Sequence, residues 1–308
     1  MILCCGEALI DMLPRQTPAG EAAFAPFVGG AVYNTARAIG RLGAPAGFFC
    51  GISTDFFGDM LRDGLVESKV DISPVVESDR PTTLAFVKLV DGQASYIFYD
   101  ENSASRMVTV DDLPALPSSV KALFFGGISL IPEPCGTAYE TLMAREAGKR
   151  LTMIDPNIRP TLVSDEAAYR GRVTRMIGHA DIVKLSDEDL AWVEKESDID
   201  VAVNGILERG PEIVIITRGG EGATAYRKSG AITVAARSVK VVDTVGAGDT
   251  FNAGFMTCLS EAGITDRAGL AGLADDTIEA ALTLGGAAAS VTISRAGANP
   301  PWREELPV

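Results

Sequence analysis

The stretch Val239-Lys-Val-Val-Asp-Thr-Val-Gly-Ala-Gly-Asp-Thr-Phe-Asn-Ala-Gly-Phe255 carries the reading of the whole chain. Val239 to Val242 is a β-branched run that predicts a strand, while Phe251, Phe255, Met256 and Leu259 recur at helical spacing. Between them lies the turn Gly246-Ala247-Gly248. Glycines open dihedrals closed to other residues, and the first N–H groups of a helix have no partner within it, so turn and helix dipole together make an anion hole. Asp249 adds a carboxylate to the first turn of that helix. One reading is an ordinary cap, because Asp is common at helix starts. The other is a general base: a resting phosphate is repelled by a fixed negative charge, whereas a hydroxyl attacking a phosphoryl group must lose its proton while N–H groups absorb charge on the transferred oxygens.

Two other phosphate motifs compete. Walker A, G-x-x-x-x-G-K-[ST], is absent from the sequence, which argues against a P-loop NTPase. Gly220-Glu-Gly222-Ala-Thr-Ala225 nearly matches a dinucleotide fingerprint and keeps an NAD(P)-dependent oxidoreductase as a rival. That fingerprint must open a helix, and residues 223–234 read instead as two short strands around a Ser-Gly turn. The single histidine, His179, would have to serve any Ser-His-Asp, Cys-His or zinc mechanism, and its place just before a strand suits a surface or capping role better. Carboxylates and lysines remain as general bases, which returns attention to Asp249.

The chain contains a second motif, Gly29-Gly30-Ala-Val-Tyr-Asn34-Thr-Ala-Arg-Ala-Ile-Gly-Arg-Leu-Gly43. It resembles one signature of the ribokinase-like (PfkB) carbohydrate kinases, and Asp243-Thr-Val-Gly-Ala-Gly-Asp249 resembles the other, D-T-x-G-A-G-D. Two signatures in the family's order are more specific than either alone, and the resemblance can be followed from Gly6 to about Pro300. It implies an α/β fold: a three-layer α/β/α core with a mostly parallel sheet, built from residues 1–10, 29–75 and 107–308, and a small β lid from 11–28 and 76–106 over the sugar site. Within the lid, Thr82–Val90 and Gln93–Tyr99 around Asp91-Gly92 read as a hairpin, with one further strand expected from about 11 to 28. From Ala122 onward strands and helices alternate, which calls for a parallel sheet.

The resemblance also implies roles. Asp249 would be the catalytic base, with Gly246, Ala247 and Gly248 steadying the γ-phosphoryl group of ATP. Asp11, read as the end of a strand from Ile2 to Ile10, would accept hydrogen bonds from sugar hydroxyls, a loop-capping role being the alternative. Gly29, Gly30 and Asn34 would line the sugar, as would Asn157 and Arg159 of Asp155-Pro-Asn157-Ile-Arg159. That run resembles the one in family members acting on fructose and 2-keto-3-deoxygluconate, although Thr161-Leu162-Val163 replaces the usual L-W after it. Lys184, Ser186, Thr217, Gly219, Gly222 and Gly286 would approach ATP. Ser186 and Asp189 stand where many relatives carry N-x-x-E; they are either an ordinary capping box or a water-mediated Mg²⁺ contact. Backbone carbonyls of Asp243, Val245, Thr292, Arg295 and Gly297 would hold a monovalent cation, K⁺.

Composition bounds the partners. A net charge of −14 without a basic stripe argues against nucleic acid, and helix termini with a divalent cation can still bind ATP locally. With no run of eighteen apolar residues and five cysteines without a C-x-x-C pair, the expectation is a cytoplasmic protein with reduced thiols and no membrane association. The reading is an ATP-dependent sugar kinase acting on a primary hydroxyl of a ketose. Fructose stands ahead of 2-keto-3-deoxygluconate and ribose, with a non-catalytic sugar-binding protein and the oxidoreductase as rivals and a homodimer through the lid left open.

Overall fold

In the computed structural model, which describes residues 1–90 and 93–307, the chain opens with β1 (Ile2–Cys5) and leaves the core at once through β2 (Leu9–Gln16) and β3 (Ala22–Gly29). It returns through α1 (Ala31–Arg41), β4 (Ala46–Phe49), β5 (Gly51–Ser53), α2 (Phe56–Glu67), β6 (Val70–Asp71) and β7 (Val76–Ser78). A second excursion forms β8 (Leu84–Val90) and β9 (Gln93–Tyr99), and the expected Asp91-Gly92 turn between them lies outside the described residues. Alternation then runs through β10 (Ala122–Gly126), α3 (Cys135–Glu146), β11 (Leu151–Asp155), α4 (Glu166–His179), β12 (Ile182–Ser186), α5 (Asp187–Glu194), α6 (Ile199–Glu208) and β13 (Ile213–Thr217). The hairpin β14 (Ala223–Arg227) and β15 (Gly230–Val234) precedes α7 (Ala247–Glu261), α8 (Arg267–Ala271) and α9 (Asp275–Ile293).

Among the described residues the main sheet has nine strands in the order β15-β14-β13-β12-β11-β10-β1-β4-β6, parallel except where β14 pairs with β13 and β15. Side chains alternate across a strand, so Cys4 packs with α1, α2, α7 and α9 on one face and its neighbour Cys5 with α3, α4 and α6 on the other. This is the expected three-layer α/β/α arrangement. From β1 the chain passes to β4 on one side and only later to β10 on the other. The strand order therefore reverses between β1 and β10, and open α/β sheets bind ligands in the crevice at such a point.

A second sheet has the order β3-β2-β8-β9. It corrects two expectations. The strand starting at Ile2 does not run to Ile10: it stops at Cys5, and Asp11 is the third residue of β2 in the second sheet. The segment 11–28 holds parts of two antiparallel strands rather than one, with Leu9 opposite Gly29 and Gln16 opposite Ala22. Pro14 sits inside β2 because pairing with β8 has ended at Met12, leaving a free edge on which a missing N–H is tolerated.

A third expectation also fails, since Val239–Val242 is not a strand. The run leaves the edge strand β15 without pairing to it, Val241 and Val242 are more than half exposed, and Val242 donates its N–H to the Ile293 carbonyl. Helices α7 and α9 cross at glycines: a methyl on Gly254 would lie 2.7 Å from the Gly285 Cα. This close packing brings the first turn of α7 against α1 and α9 together. Gly254→Val should therefore cost about 1–3 kcal/mol through overpacking, read as a lower denaturant midpoint; an unchanged midpoint would refute the tight crossing.

Candidate active site

Gly246 stands before α7 in a left-handed conformation, φ 79°, with Ala298 so close that an added Cβ would lie 3.0 Å from it. Glycine is therefore required for both conformation and space. No side chain caps this helix. The amide of Ala247 is already bonded to the Thr244 carbonyl at 3.3 Å, while those of Gly246, Gly248 and Asp249 have no hydrogen-bond partner among the described residues. Of the four amides at this turn, those of Gly246, Gly248 and Asp249 are the ones left open to an acceptor, and that of Ala247 is not.

Asp249 turns inward toward α1. Its Oδ2 accepts from Asn34 Nδ2 at 3.0 Å, and the Thr35 hydroxyl donates to its carbonyl at 3.3 Å. The two sequence signatures thus meet side chain to side chain. Asp249 is 7% exposed. Burial pushes its pKa up to about 7; the Asn34 hydrogen bond opposes this, the charges of Asp155 and Glu7 add to it, and Lys184 works against it. The Oδ1 of Asn34 is buried without a partner among the described residues.

Behind the anion hole lies a buried polar network. Asp155, at the end of β11, accepts on Oδ2 from Lys184 Nζ at 2.9 Å and from Asn252 Nδ2 at 2.7 Å, and on Oδ1 from the Asn157 amide at 3.1 Å. Burial acts to neutralise Lys184, but the Asp155 charge and hydrogen bond outweigh it and its pKa is raised. A methyl on Gly248 would lie 3.2 Å from Lys184 Nζ, so the cation sits directly beneath the glycine turn. Ser186 caps α5 by accepting from the Asp189 amide at 2.9 Å. The Asp189 carboxylate accepts from the Ile158 amide at 3.1 Å, and burial raises its pKa.

On the other side, Gly29 is where the Asp11 carboxylate approaches so closely that a Cβ would meet it at 2.2 Å. Burial pushes Asp11 up to about 6. Asn157 takes a positive φ of 46°. Arg159 is not drawn into the site: it is exposed, and its guanidinium folds back onto the carbonyls of Asn157 and Ile158.

A cleft of about 550 Å³ opens on the α7–α9 side and is lined by Thr217, Gly219, Gly222, Gly248 and Gly286 among others. Five residues expected at ATP thus share one cavity, whereas Lys184, Ser186 and Gly246 stand outside its lining. Val239 and Val241 form part of its wall, which accounts for an apolar run that joins no sheet. The Gly220–Ala225 stretch forms a short 3-10 turn and the start of β14, so no helix follows it and the dinucleotide reading fails. The segments proposed for a monovalent cation are joined by the Gly297 amide donating to Asp243 Oδ2 at 2.9 Å.

Three residues of this network carried no assigned role in the sequence: Glu7, Asp155 and Asn252. Asn252 stood one helical turn beyond Asp249, a spacing that places it on the same face. Glu7 stood out as an acid within an apolar run, and Asp155 opened the D-P-N-x-R motif.

The pfkB family carbohydrate kinase model matches residues 1–305. A fructokinase of Rhizobium leguminosarum bv. trifolii is 54% identical over 259 residues, covering 84% of this chain and 79% of that protein. The ATP-bound crystal structure of a fructokinase from Xylella fastidiosa superimposes with a TM-score of 0.88 at 28% identity, covering 96% of this chain and 93% of the other. A double-mutant fructokinase of Vibrio cholerae O395, in its fructose, ADP and potassium ion bound form, gives 0.85 at 26% identity over 96% and 93%. With both signatures joined at Asp249 and the match spanning nearly its whole length, the chain belongs to the pfkB family of carbohydrate kinases.

Proposed function

We propose that this kinase transfers the γ-phosphoryl group of ATP to the primary hydroxyl of fructose, with Asp249 as the base. The observation that carries the reading is a buried carboxylate whose pKa lies near neutrality, beside unpaired amides at a helix start. Asp249 takes the proton of the attacking hydroxyl, and the amides of Gly246, Gly248 and Asp249, with Lys184 beneath, offset charge on the transferred oxygens. Asp11 accepts sugar hydroxyls, Gly29 and Gly30 allow close approach, and the orphaned Asn34 Oδ1 gains a donor when sugar is bound. Asn157 and Arg159 would approach the sugar or the transferred phosphate, Arg159 by releasing the carbonyls of Asn157 and Ile158.

Among the described residues no cluster of His, Cys, Asp or Glu forms a metal cage. That fits Mg²⁺ held mainly by the nucleotide phosphates, with Asp189 in contact through water. The ion, when bound, neutralises phosphate charge. K⁺ would rest on carbonyls of Asp243, Val245, Thr292, Arg295 and Gly297. The stretches 11–28 and 76–106 act as a lid, and exposed Phe24, Phe27, Ile97 and Tyr99 support pairing of two lids in a homodimer. Free cysteines suit a cytoplasmic setting, and no described helix is long and apolar enough to cross a membrane.

Fructose is preferred to 2-keto-3-deoxygluconate because a relative 54% identical over 84% of this chain is a fructokinase. A cavity of about 450 Å³ beside Glu7 and Ser129 contains two guanidinium groups, and both are engaged, Arg106 with Asp100 and Arg172 with Glu133; none of the residues assigned to the sugar lines it. In a panel of fructose, ribose and 2-keto-3-deoxygluconate, fructose should show the highest kcat/KM; a preference for the acid would overturn the substrate while leaving the base.

Asp249→Asn should lower kcat on the order of 10²–10⁴-fold with ATP binding retained, and near-normal turnover would dismiss the base. The pH dependence has a definite sign. The base works ionised, so kcat/KM should rise with pH and level off above an apparent pKa of about 7, rather than near the ordinary carboxylate value of 3.8. A profile flat down to pH 5 would contradict this. For stability, a raised folded-state pKa means that the favourable contribution is complete below the unfolded value of 3.8 and is lost as pH rises toward about 7. Asp249→Asn should therefore melt no lower than the parent at pH 8, and any gain should vanish below pH 4.

A further inference from the structure

Glu7 lies between β1 and β2, at the point where the chain leaves the core sheet for the second sheet, and it is only 3% exposed. The return crossing, Gly29-Gly30 before α1, passes directly over it: a Cβ on Gly30, whose φ is 108°, would lie 2.9 Å from the Glu7 carbonyl. Its carboxylate accepts from three amides in two places, the start of α1 and the loop after β10. Oε1 accepts from the Ala31 amide at 2.8 Å and the Val32 amide at 3.4 Å, and Oε2 accepts from the Ser129 amide at 3.2 Å. Helix α1 has no cap from its own N-terminal residue, so Glu7 supplies one from the opposite crossing. Gly127, with φ 69°, packs so closely on the carboxylate that a Cβ there would meet Oε1 at 2.2 Å.

These contacts lie at the sheet's switch point, where β1 and β10 diverge and where the ligand crevice is expected. Ser129 and Glu7 both line the 450 Å³ cavity. One helical turn into α1, Asn34 donates to Asp249. A single carboxylate thus fastens the two strand crossings of the second sheet, the loop after β10 and the start of the helix that holds the base.

We infer that Glu7 is a positioning residue for the phosphoryl transfer: it pins the hinge of the second sheet to α1 and to the loop after β10, and so sets the cavity wall at Ser129 and the Asn34–Asp249 pair in register. Glu7 touches no reacting atom in this role. It acts through the α1 amides on Asn34 and through the Ser129 amide on the cavity wall. Its charge also reaches Asp249, whose other charged neighbours are Asp155 and Lys184. The inference rests on Asp249 being the base.

Glu7→Gln tests it with little change of shape. The amide nitrogen of the new side chain must face either the Ser129 or the Ala31 N–H, so one of the two struts is lost. We expect kcat/KM for fructose to fall by about 10²-fold, as for a base misplaced by about an ångström, with KM for fructose raised, kcat lowered, and the dissociation constant for ATP measured by calorimetry unchanged. The acidic limb of the kcat/KM profile should move to lower pH, because removing a neighbouring negative charge makes Asp249 easier to ionise. Glu7→Asp keeps the charge but is too short to span both struts, so it should reproduce the KM and kcat losses without moving the limb. Unchanged KM and kcat in Glu7→Gln would overturn the inference, as would loss of ATP binding in step with activity, which indicates general disorder. Asp249→Asn run in parallel separates the two ideas: normal turnover there removes the base, whereas a silent Glu7→Gln beside an inactive Asp249→Asn removes only the hinge.

Discussion

The hydrogen bond between Asn34 and Asp249 joins the two halves of the site, and most of the fold exists to place its two ends. Asn34 rides on α1, which begins where the second sheet rejoins the core; Asp249 rides on α7, which begins after the last hairpin of the main sheet. Small residues set the position of α7. Gly254 against Gly285 seats α7 on α9, and Gly246 and Gly248 remove side chains where the chain turns over Lys184. The amide of Asn34 donates to a carboxylate that burial alone would neutralise, and this donation holds the acid's pKa close to working pH.

The same carboxylate belongs to a group of acids that share little cationic charge. Asp155, Glu7 and Asp249 act on one another, and Lys184 is the cation set among them. Lys184 and Asn252 are both committed to Asp155 on the same oxygen, so Asp155 is fixed in place and, through Lys184, fixes the floor of the glycine turn. A buried pair of this kind is weak evidence for stability, since desolvation offsets much of the attraction. Its value here is geometric: it connects β11, β12 and α7 at the point where a phosphoryl group would arrive.

Much of this was legible in the sequence because short-range rules govern it. Periodicity located α7, strand–helix alternation announced the parallel sheet, and the glycine turn announced the anion hole. The errors have physical sources too. Val239–Val242 has strand composition, but the chain is tied to the end of α9 by the Val242 N–H and Val239 and Val241 wall the cleft on the α7–α9 side, so the run does not pair with the edge strand β15. Ile2–Ile10 reads as one apolar run, yet Gly6 sits against Val32 with no room for a side chain, and the chain breaks there to change sheets. Asp11 consequently moved from the end of a core strand to the second sheet without leaving Gly29. Arg159 is assigned to the substrate from its motif, and its conformation here is set by two nearby carbonyls, a choice no sequence pattern encodes. Glu7 and Asn252 went unassigned because their partners lie far along the chain.

A protein of net charge −14 that handles a polyanion poses an electrostatic problem, and the arrangement of the site answers it locally. Positive potential comes from backbone amides at the start of α7 and one buried lysine, not from a patch of surface arginines. Arg106 and Arg172, which line the cavity beside Glu7, are paired with Asp100 and Glu133. Amides offer a direction without a mobile charge, so they stabilise an oxygen only at the place where the turn aims them. Glu7 and Asp249 share this small volume, and burial raises the pKa of both: Glu7 accepts the amides of Ala31, Val32 and Ser129, which tie it to the fold, while Asp249 accepts one side-chain hydrogen bond, from Asn34.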